Sequence, residues 1–298
     1  MRRLARFLVP LVGCVLLTAA CTSPSSGSSA LAARASAHTK VTKLLVVVVE
    51  NHSLTQMKAG MPKTFALAKQ YAYATGYHAI THPSLPNYVA IAGGSTYGIS
   101  DDDPPSAHKI QGRSVFGQAL RHGKTAATYA DSMTSACSTS SYGRYAVKHN
   151  PWAYFVKERR GCKAHDRGMK AFANAVGGGH LPRVGMLVPN LCNDAHDCSL
   201  ATADNWFAQQ WQRIQAGPDW KSGHLAVVLT ADEDDHNEGN TVLTVVLHPS
   251  LRSSGKVVDT RLTHYSLTRL YDEVAGLPYL HRAATAPSMA KAFGLPVG

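Results

Sequence analysis

The sequence predicts a single α/β domain whose central sheet is mainly parallel, with helices on both faces. Three observations carry this. Leu44-Leu45-Val46-Val47-Val48-Val49 and Leu225-Ala226-Val227-Val228-Leu229-Thr230 are continuous apolar runs, as strands buried on both faces require. Segments of strand and helix character alternate along the chain, which is the order a parallel sheet with crossover helices produces. Polar clusters stand directly after the apolar runs, where open α/β sheets build their sites. Glu50-Asn51 follows the first run and Asp232-Glu233-Asp234-Asp235-His236 the second. Adjacent carboxylates repel one another, so packing alone does not call for them at a strand end. Acidic clusters there bind a cation, or share one with a phosphate.

The first element is a secretion signal at residues 1–21. Arg2, Arg3 and Arg6 precede an apolar stretch at 7–20, which is short for a membrane span. Leu17-Thr18-Ala19-Ala20-Cys21 resembles a bacterial lipoprotein signal, with Cys21 as the lipidated residue. Ala35-Ser36-Ala37 is a rival cleavage site. Either route exports the chain, to the extracellular space or to the outer face of the cell membrane. Residues 22–41, rich in serine, form a flexible tether. The catalytic domain is expected at 42–298.

Within that domain, 42–50 is the first strand. Residues 62–74 read as a helix, with Phe65, Leu67, Ala68 and Tyr71 on one face. A loop at 81–87 leads into a helical stretch of small residues at 88–93. Residues 94–113 are loop, and Asp101-Asp102-Asp103 within it reads as solvated. A short helix at 115–122 ends at Gly123, and a strand follows at 125–130. Residues 131–165 form a long polar excursion over the site. A strand at 183–189, a loop at 190–197, an amphipathic helix at 204–215, strands at 225–230 and 242–247, and a helix at 265–274 complete the order.

The formal charge of the 298-residue chain is +11, and Arg2, Arg3, Arg6 and Arg34 account for four of it, leaving +7 in residues 38–298. A modest positive field suits anionic substrates. No Lys/Arg run is interleaved with aromatics, so nucleic-acid binding is not expected. The expected partners are a phosphorylated small molecule or a phospholipid headgroup. Membrane contact would come only through an anchor at Cys21, and the chain is expected to be a monomer. Four cysteines remain beyond the signal: Cys137, Cys162, Cys192 and Cys198. An even number in an exported chain implies two disulfides, with three possible connectivities. The local pairs Cys137–Cys162 and Cys192–Cys198 are favoured over a four-thiolate zinc site, because no C-x-x-C spacing occurs.

Phosphate ester hydrolysis needs a nucleophile in line with the leaving oxygen and neutralised charge on the other oxygens. A serine hydroxyl serves when a metal or base lowers its pKa. Ser84 opens a helix, where backbone N–H groups favour an anion, and Pro83 and Pro86 stiffen the turn. Asn51 and Asn87 can donate to phosphoryl oxygens. The carboxylates and histidines are mixed O/N ligands suited to zinc or a similar divalent ion. His149, next to Lys148, could bind phosphate or lie on the surface.

Ser84-Leu85-Pro86-Asn87-Tyr88 resembles the nucleophile motif of the alkaline phosphatase superfamily, Ser/Thr-x-Pro-Asn, and Gly93-Gly94-Ser95-Thr96-Tyr97-Gly98-Ile99 resembles the loop that follows it. Glu50-Asn51, the segment Pro189-Asn190 to His196-Asp197, Asp232-Glu233-Asp234 and His264-Tyr265-Ser266-Leu267 resemble the bacterial phosphoesterase branch of secreted acid phosphatases and phospholipases C. The likeness extends to mycobacterial phosphatases acting on phosphoinositides. It implies an alkaline-phosphatase-like fold and a phosphomonoesterase working through a phosphoserine. Ser84 would be the nucleophile, with Asn51 steadying the transferring group and His264 in a catalytic or second metal subsite. Asn87, Lys148 and His149 would bind substrate. Glu50, Asp232, Glu233, Asp194 and His196 would hold one or two divalent ions. Many superfamily members carry Asp where Glu50 stands, and Asp-His where Asp232-Glu233 stands. Two alternatives remain at this stage: a phosphodiesterase of phospholipase C type, and a non-catalytic exported protein binding a phosphate or a cation.

Overall fold

The structure, a computed structural model, describes residues 39–298. The expected secretion signal, the lipidation site Cys21, the rival cleavage site after Ala37 and most of the tether lie outside the described residues. Val41, the last expected tether residue, is buried, and its N–H donates to the Pro296 carbonyl at 2.9 Å.

In chain order the first half holds β1 (Lys43–Val49), α1 (Leu54–Gly60), α2 (Pro62–Gln70), β2 (Ala72–Ala74), β3 (Tyr77–His78), α3 (Ser84–Gly93), α4 (Val115–Arg121) and β4 (Ala126–Ala130). Then come α5 (Arg159–His165), β5 (Asp166–Arg167), α6 (Met169–Gly178), β6 (Val184–Val188), α7 (Leu200–Ala216), α8 (Pro218–Lys221) and β7 (Leu225–Ala231). The chain closes with β8 (Thr244–Leu247), β9 (Lys256–Val258), β10 (Leu262–Thr263), α9 (His264–Ala275) and α10 (Met289–Phe293).

Eight strands form one sheet in the order β5-β4-β6-β1-β7-β8-β2-β9. From β5 to β7 every pairing is parallel, and β8 runs opposite to both of its neighbours. β1 lies in the middle, with Val46 in register with Met186 on one side and Val228 on the other. Its apolar run is therefore covered on both faces, as expected. Two helical layers flank the sheet: α2, α6 and α7 pack together, and α9 packs on α3, α4 and β1. The carboxyl ends of β6, β1 and β7 open side by side.

Four local differences have physical causes. The helix expected to reach residue 74 stops at Gln70, because residues 72–74 gain ladder partners on β8 and β9. The helix expected from Tyr88 begins at Ser84. Pro86 is tolerated there because first-turn N–H groups have no intrahelical partner. The expected polar excursion is in fact packed: Trp152, Tyr154 and Phe155 are buried, and its short helical turns lie against α3. Both local disulfides are present, Cys137–Cys162 with Cα atoms 5.4 Å apart and Cys192–Cys198 with 4.7 Å. The first ties the excursion to α5.

Candidate active site

Ser84 is the first residue of α3, and its side chain is buried. Its hydroxyl donates to Glu50 Oε2 at 2.9 Å. Glu50 stands one residue beyond β1 and is wholly buried. Its other oxygen, Oε1, lies 3.1 Å from His149 Nε2. His149 in turn donates from Nδ1 to Asp194 Oδ2 at 3.0 Å, and its ring stacks on Tyr88 with centroids 5.0 Å apart. A buried chain of polar groups thus runs from the hydroxyl through Glu50 and His149 to Asp194. The backbone braces it, since Glu50 N–H donates to the Asp194 carbonyl at 2.8 Å.

The electrostatics follow from this contact order. Burial pushes the Glu50 carboxyl up, but the facing His149 outweighs it and holds the group at about 2. Burial likewise pulls His149 down, yet the Glu50 charge and the Asp194 bond raise it to about 9. At neutral pH an imidazolium therefore sits between two carboxylates. His149 is neither the surface residue nor the direct phosphate ligand that the sequence offered as its two readings. It is a buried counterion.

The second carboxylate group comes from the tip of β7. Asp232 is buried and accepts from Asn51 N–H at 3.1 Å through Oδ1, while Oδ2 has no partner. Burial and the charges of Glu50 and Glu233 push its carboxyl well above the ordinary range. Glu233 accepts from Asn87 Nδ2 at 3.2 Å and lies 3.2 Å from His82 Nδ1. Burial and Glu50 raise it to about 8. Glu50, Asp232 and Glu233 are three mutually repelling carboxyls, one with an orphaned buried oxygen, but their oxygens do not all close to within 4.8 Å as a preformed cation site requires. The fold brings Glu50, Asp232 and Glu233 into one polar cluster without closing them into the three-carboxylate cation site that the sequence suggested.

The other candidates are placed differently. His196 Nδ1 lies 2.7 Å from Asp197, and its ring is 5.8 Å from that of His149, at the rim. Asp194 is taken up by His149 and by the His196 N–H at 2.8 Å. Neither makes a hydrogen bond to Asp232 or Glu233, so a second ion subsite is not assembled from them. His264 is buried at the start of α9, with both ring nitrogens engaged. Nε2 donates to the Asp232 carbonyl at 2.6 Å, and the Tyr77 hydroxyl donates to Nδ1 at 3.0 Å. Burial lowers it to about 4, which keeps it neutral. It holds the β7 tip in place and offers no free nitrogen to a metal or a substrate. Asn87 accepts from Ile80 and Thr81 N–H and donates to Glu233, so it shapes the loop before Ser84. Asn51 has φ 56° and points its amide at Glu50 Oε2, 3.4 Å away.

Lys148 Nζ donates to Asp102 Oδ2 at 2.8 Å, and Asp102 Oδ1 accepts the Leu85 N–H at 2.8 Å. Asp102, read from sequence as solvated, is thus the link that holds the one lysine of the site beside the α3 terminus. Nothing in Asp101-Asp102-Asp103-Pro104 distinguishes the middle residue; only the fold turns it inward. Its neighbours Asp101 and Asp103 are exposed, and with His108 they form a three-donor group within 4.8 Å on the rim. His82, whose place two residues before Ser84 suggests a role in orienting the loop, also reaches the acidic cluster. It bridges Glu233 and Asp234 Oδ1, at 3.2 Å each.

Residues 52–278 match the model of the Phosphoesterase family. The chain is 29% identical over 278 residues to a phosphatidylinositol-3-phosphatase of Mycobacterium tuberculosis, covering 91% of this chain and 87% of that one. It is 30% identical over 228 residues to a phosphate-repressible acid phosphatase of Penicillium chrysogenum, covering 72% of this chain. The chain spans about half the length of such fungal relatives, 55% and 51% for two of them. Among solved structures, a protein of the alkaline phosphatase superfamily from Vibrio parahaemolyticus superposes with a TM-score of 0.58 at 11% identity, over 85% of this chain and 72% of that one. That likeness concerns the fold, which is a single α/β domain.

Proposed function

The chain belongs to the phosphoesterase family of phosphoric ester hydrolases, and on that premise we propose that it is an exported phosphomonoesterase working through a phosphoserine at Ser84. The observation that carries this reading is the 2.9 Å bond from the Ser84 hydroxyl to Glu50 at the start of a ten-residue helix. The positive end of that helix dipole favours an anion at Ser84, although the Leu85 N–H is taken by Asp102 and Pro86 has none to offer. The acid phosphatase and phosphatidylinositol-3-phosphatase names of the relatives support a phosphorylated small molecule or a phosphoinositide headgroup as substrate.

Ser84 Oγ attacks phosphorus, its bond to the leaving oxygen breaks, and the hydroxyl hydrogen of Ser84 is balanced by the one the leaving oxygen gains. Water then displaces phosphate from Ser84 and restores the hydroxyl. Glu50, kept ionised by His149, holds the hydroxyl hydrogen so that the Oγ lone pair faces the phosphorus. Lys148, restrained by Asp102, lies beside the same carboxylates and offsets the incoming phosphate charge. Asn51 is positioned to steady the transferring group, and His264 acts by positioning Asp232. A divalent cation drawn to the clustered carboxyls of Glu50, Asp232 and Glu233 would lower the pKa of the serine hydroxyl and neutralise phosphate, provided their oxygens close in around it.

Export is supported by the basic and apolar start of the chain and by two disulfides, which persist in oxidising compartments. Anchoring at Cys21 belongs to the same proposal. Among the described residues, no helix is long and apolar enough to cross a membrane.

The test is mass spectrometry after a brief acid quench with p-nitrophenyl phosphate, wild type against Ser84→Ala. A phosphate adduct on Ser84 that the variant lacks is expected, with turnover lost. Hydrolysis surviving in Ser84→Ala would overturn the assignment. Turnover of a methyl phosphodiester at the monoester rate would instead favour diester cleavage, and dialysis against a chelator reads the cation requirement.

A further inference from the structure

A cavity of ≈ 360 Å³ opens beside the nucleophile, lined among others by His78, His82, Asp234, His236, Asn240 and Arg261. It shares a wall with the site. His82 stands two residues before Ser84 and touches Glu233, which is bonded to Asn87 one turn into α3. The cavity's lining is rich in donors that have no work elsewhere. Arg261 is exposed, and its guanidinium makes no hydrogen bond or ion pair among the described residues. The His236 ring stacks on His82 at 3.8 Å, and neither of its nitrogens has a hydrogen-bond partner. His78 uses only Nδ1, 3.3 Å from the Thr241 hydroxyl.

The one carboxylate in the wall is already used. Asp234 accepts from the N–H groups of His236 and Glu238 at 2.8 Å each and of Asn240 at 3.0 Å. Burial raises its carboxyl, but those three bonds and His82 outweigh it and hold it low. It fixes the turn that carries His236 and leaves Arg261 without an ion-pair partner. An unpaired guanidinium, the unengaged His236 imidazole and the free Nε2 of His78 around one cavity can serve an anion, and a guanidinium is suited to two phosphate oxygens at once.

We propose that this cavity is a subsite for a second anionic group of the substrate, with Arg261 and His236 as its specificity-determining residues. The preferred substrates are then phosphomonoesters that carry a further phosphate, free or as a lipid phosphodiester. The inference rests on the phosphomonoesterase reading, and it places substrate choice in the segments around His78, His236 and Arg261.

The test compares inositol 3-phosphate, inositol 1,3-bisphosphate and phosphatidylinositol 3-phosphate in phosphatidylcholine vesicles. Wild type is set against Arg261→Gln and against His236→Asn, which keeps a residue tolerant of the left-handed backbone (φ 66° at His236). Loss of a charge-assisted contact raises KM roughly tenfold to a hundredfold. The expected result is that rise for a two-anion substrate with inositol 3-phosphate unaffected. A rise confined to the soluble bisphosphate identifies a free second phosphate, and one confined to vesicles identifies the lipid diester. Equal effects on all three substrates, or none, would overturn the subsite. Calorimetric binding of inositol 1,3-bisphosphate to Ser84→Ala, with and without Arg261→Gln, decides the same question without turnover. Weaker binding in the double variant upholds the subsite even if the phosphoserine reading fails, and unchanged binding sinks it.

Discussion

At the scale of single residues, Glu50 is the pivot of the proposed mechanism, because it touches both Ser84 and His149. Glu50→Gln keeps the size of the side chain and removes its charge. A fall in kcat of roughly a hundredfold to ten-thousandfold is expected, the range that positioned proton-handling groups contribute. Single-turnover kinetics check it, and a change under about threefold would remove Glu50 from the reaction. His149 is the complementary case. Replacing it by Gln leaves Glu50 and Asp194 buried with no cation between them. Breaking a buried pair in this way costs about 3–5 kcal/mol. Urea unfolding at pH 7 measures the loss, and a loss below about 1 kcal/mol would mean that water reaches these groups.

At the scale of elements, the excursion between β4 and β5 carries Lys148 and His149 to the site, and the Cys137–Cys162 bridge holds its ends. Closing a loop of 25 residues is worth about 3–4 kcal/mol in the chain-entropy account. The Cys137→Ser/Cys162→Ser protein is expected to lose about that much stability and also to bind phosphate more weakly, because its lysine is no longer held. Thermal unfolding and competitive inhibition by inorganic phosphate read the two effects. A stability loss with unchanged phosphate affinity would show that Asp102 alone fixes Lys148.

At the scale of the whole molecule, several buried groups titrate together. Burial raises Asp166 to about 6 and Asp272 to about 7, so the folded chain keeps protons that the unfolded chain releases near pH 4. Stability from such groups is full at low pH and falls as pH rises through their folded values. His149 acts in the same direction: its pKa is raised to about 9, so its contribution is complete below 6.5 and is lost as pH rises through 9. Glu50, held at about 2, contributes above pH 4.5 and loses its share only as pH falls towards 2. Chelator-treated protein is therefore expected to melt highest near pH 5 and progressively lower towards pH 9. A melting temperature that climbs from pH 5 to pH 9 would contradict this.

The sequence by itself determined the sheet and the approximate position of the site. β1 and β7 are legible because strands covered on both faces must be apolar without interruption, and their polar tips stand out by contrast. Glu50, Ser84, Asp232 and Glu233 were legible for the same reason, since each follows an apolar run or opens a helix beside a recognisable motif. The local disulfides followed from an even cysteine count and short separations. Tertiary structure decided what depends on long-range neighbours. Residues 71–74 could form helix or strand, and only the free edge of β8 settled them. His149, His264 and Asp102 look alike in sequence as polar residues in loops or at a helix start. One became a buried counterion, one a backbone clamp and one a tether for Lys148. Their roles come from the partner that folding brings opposite each of them, at separations of 17 to 100 residues and more, which no local pattern encodes.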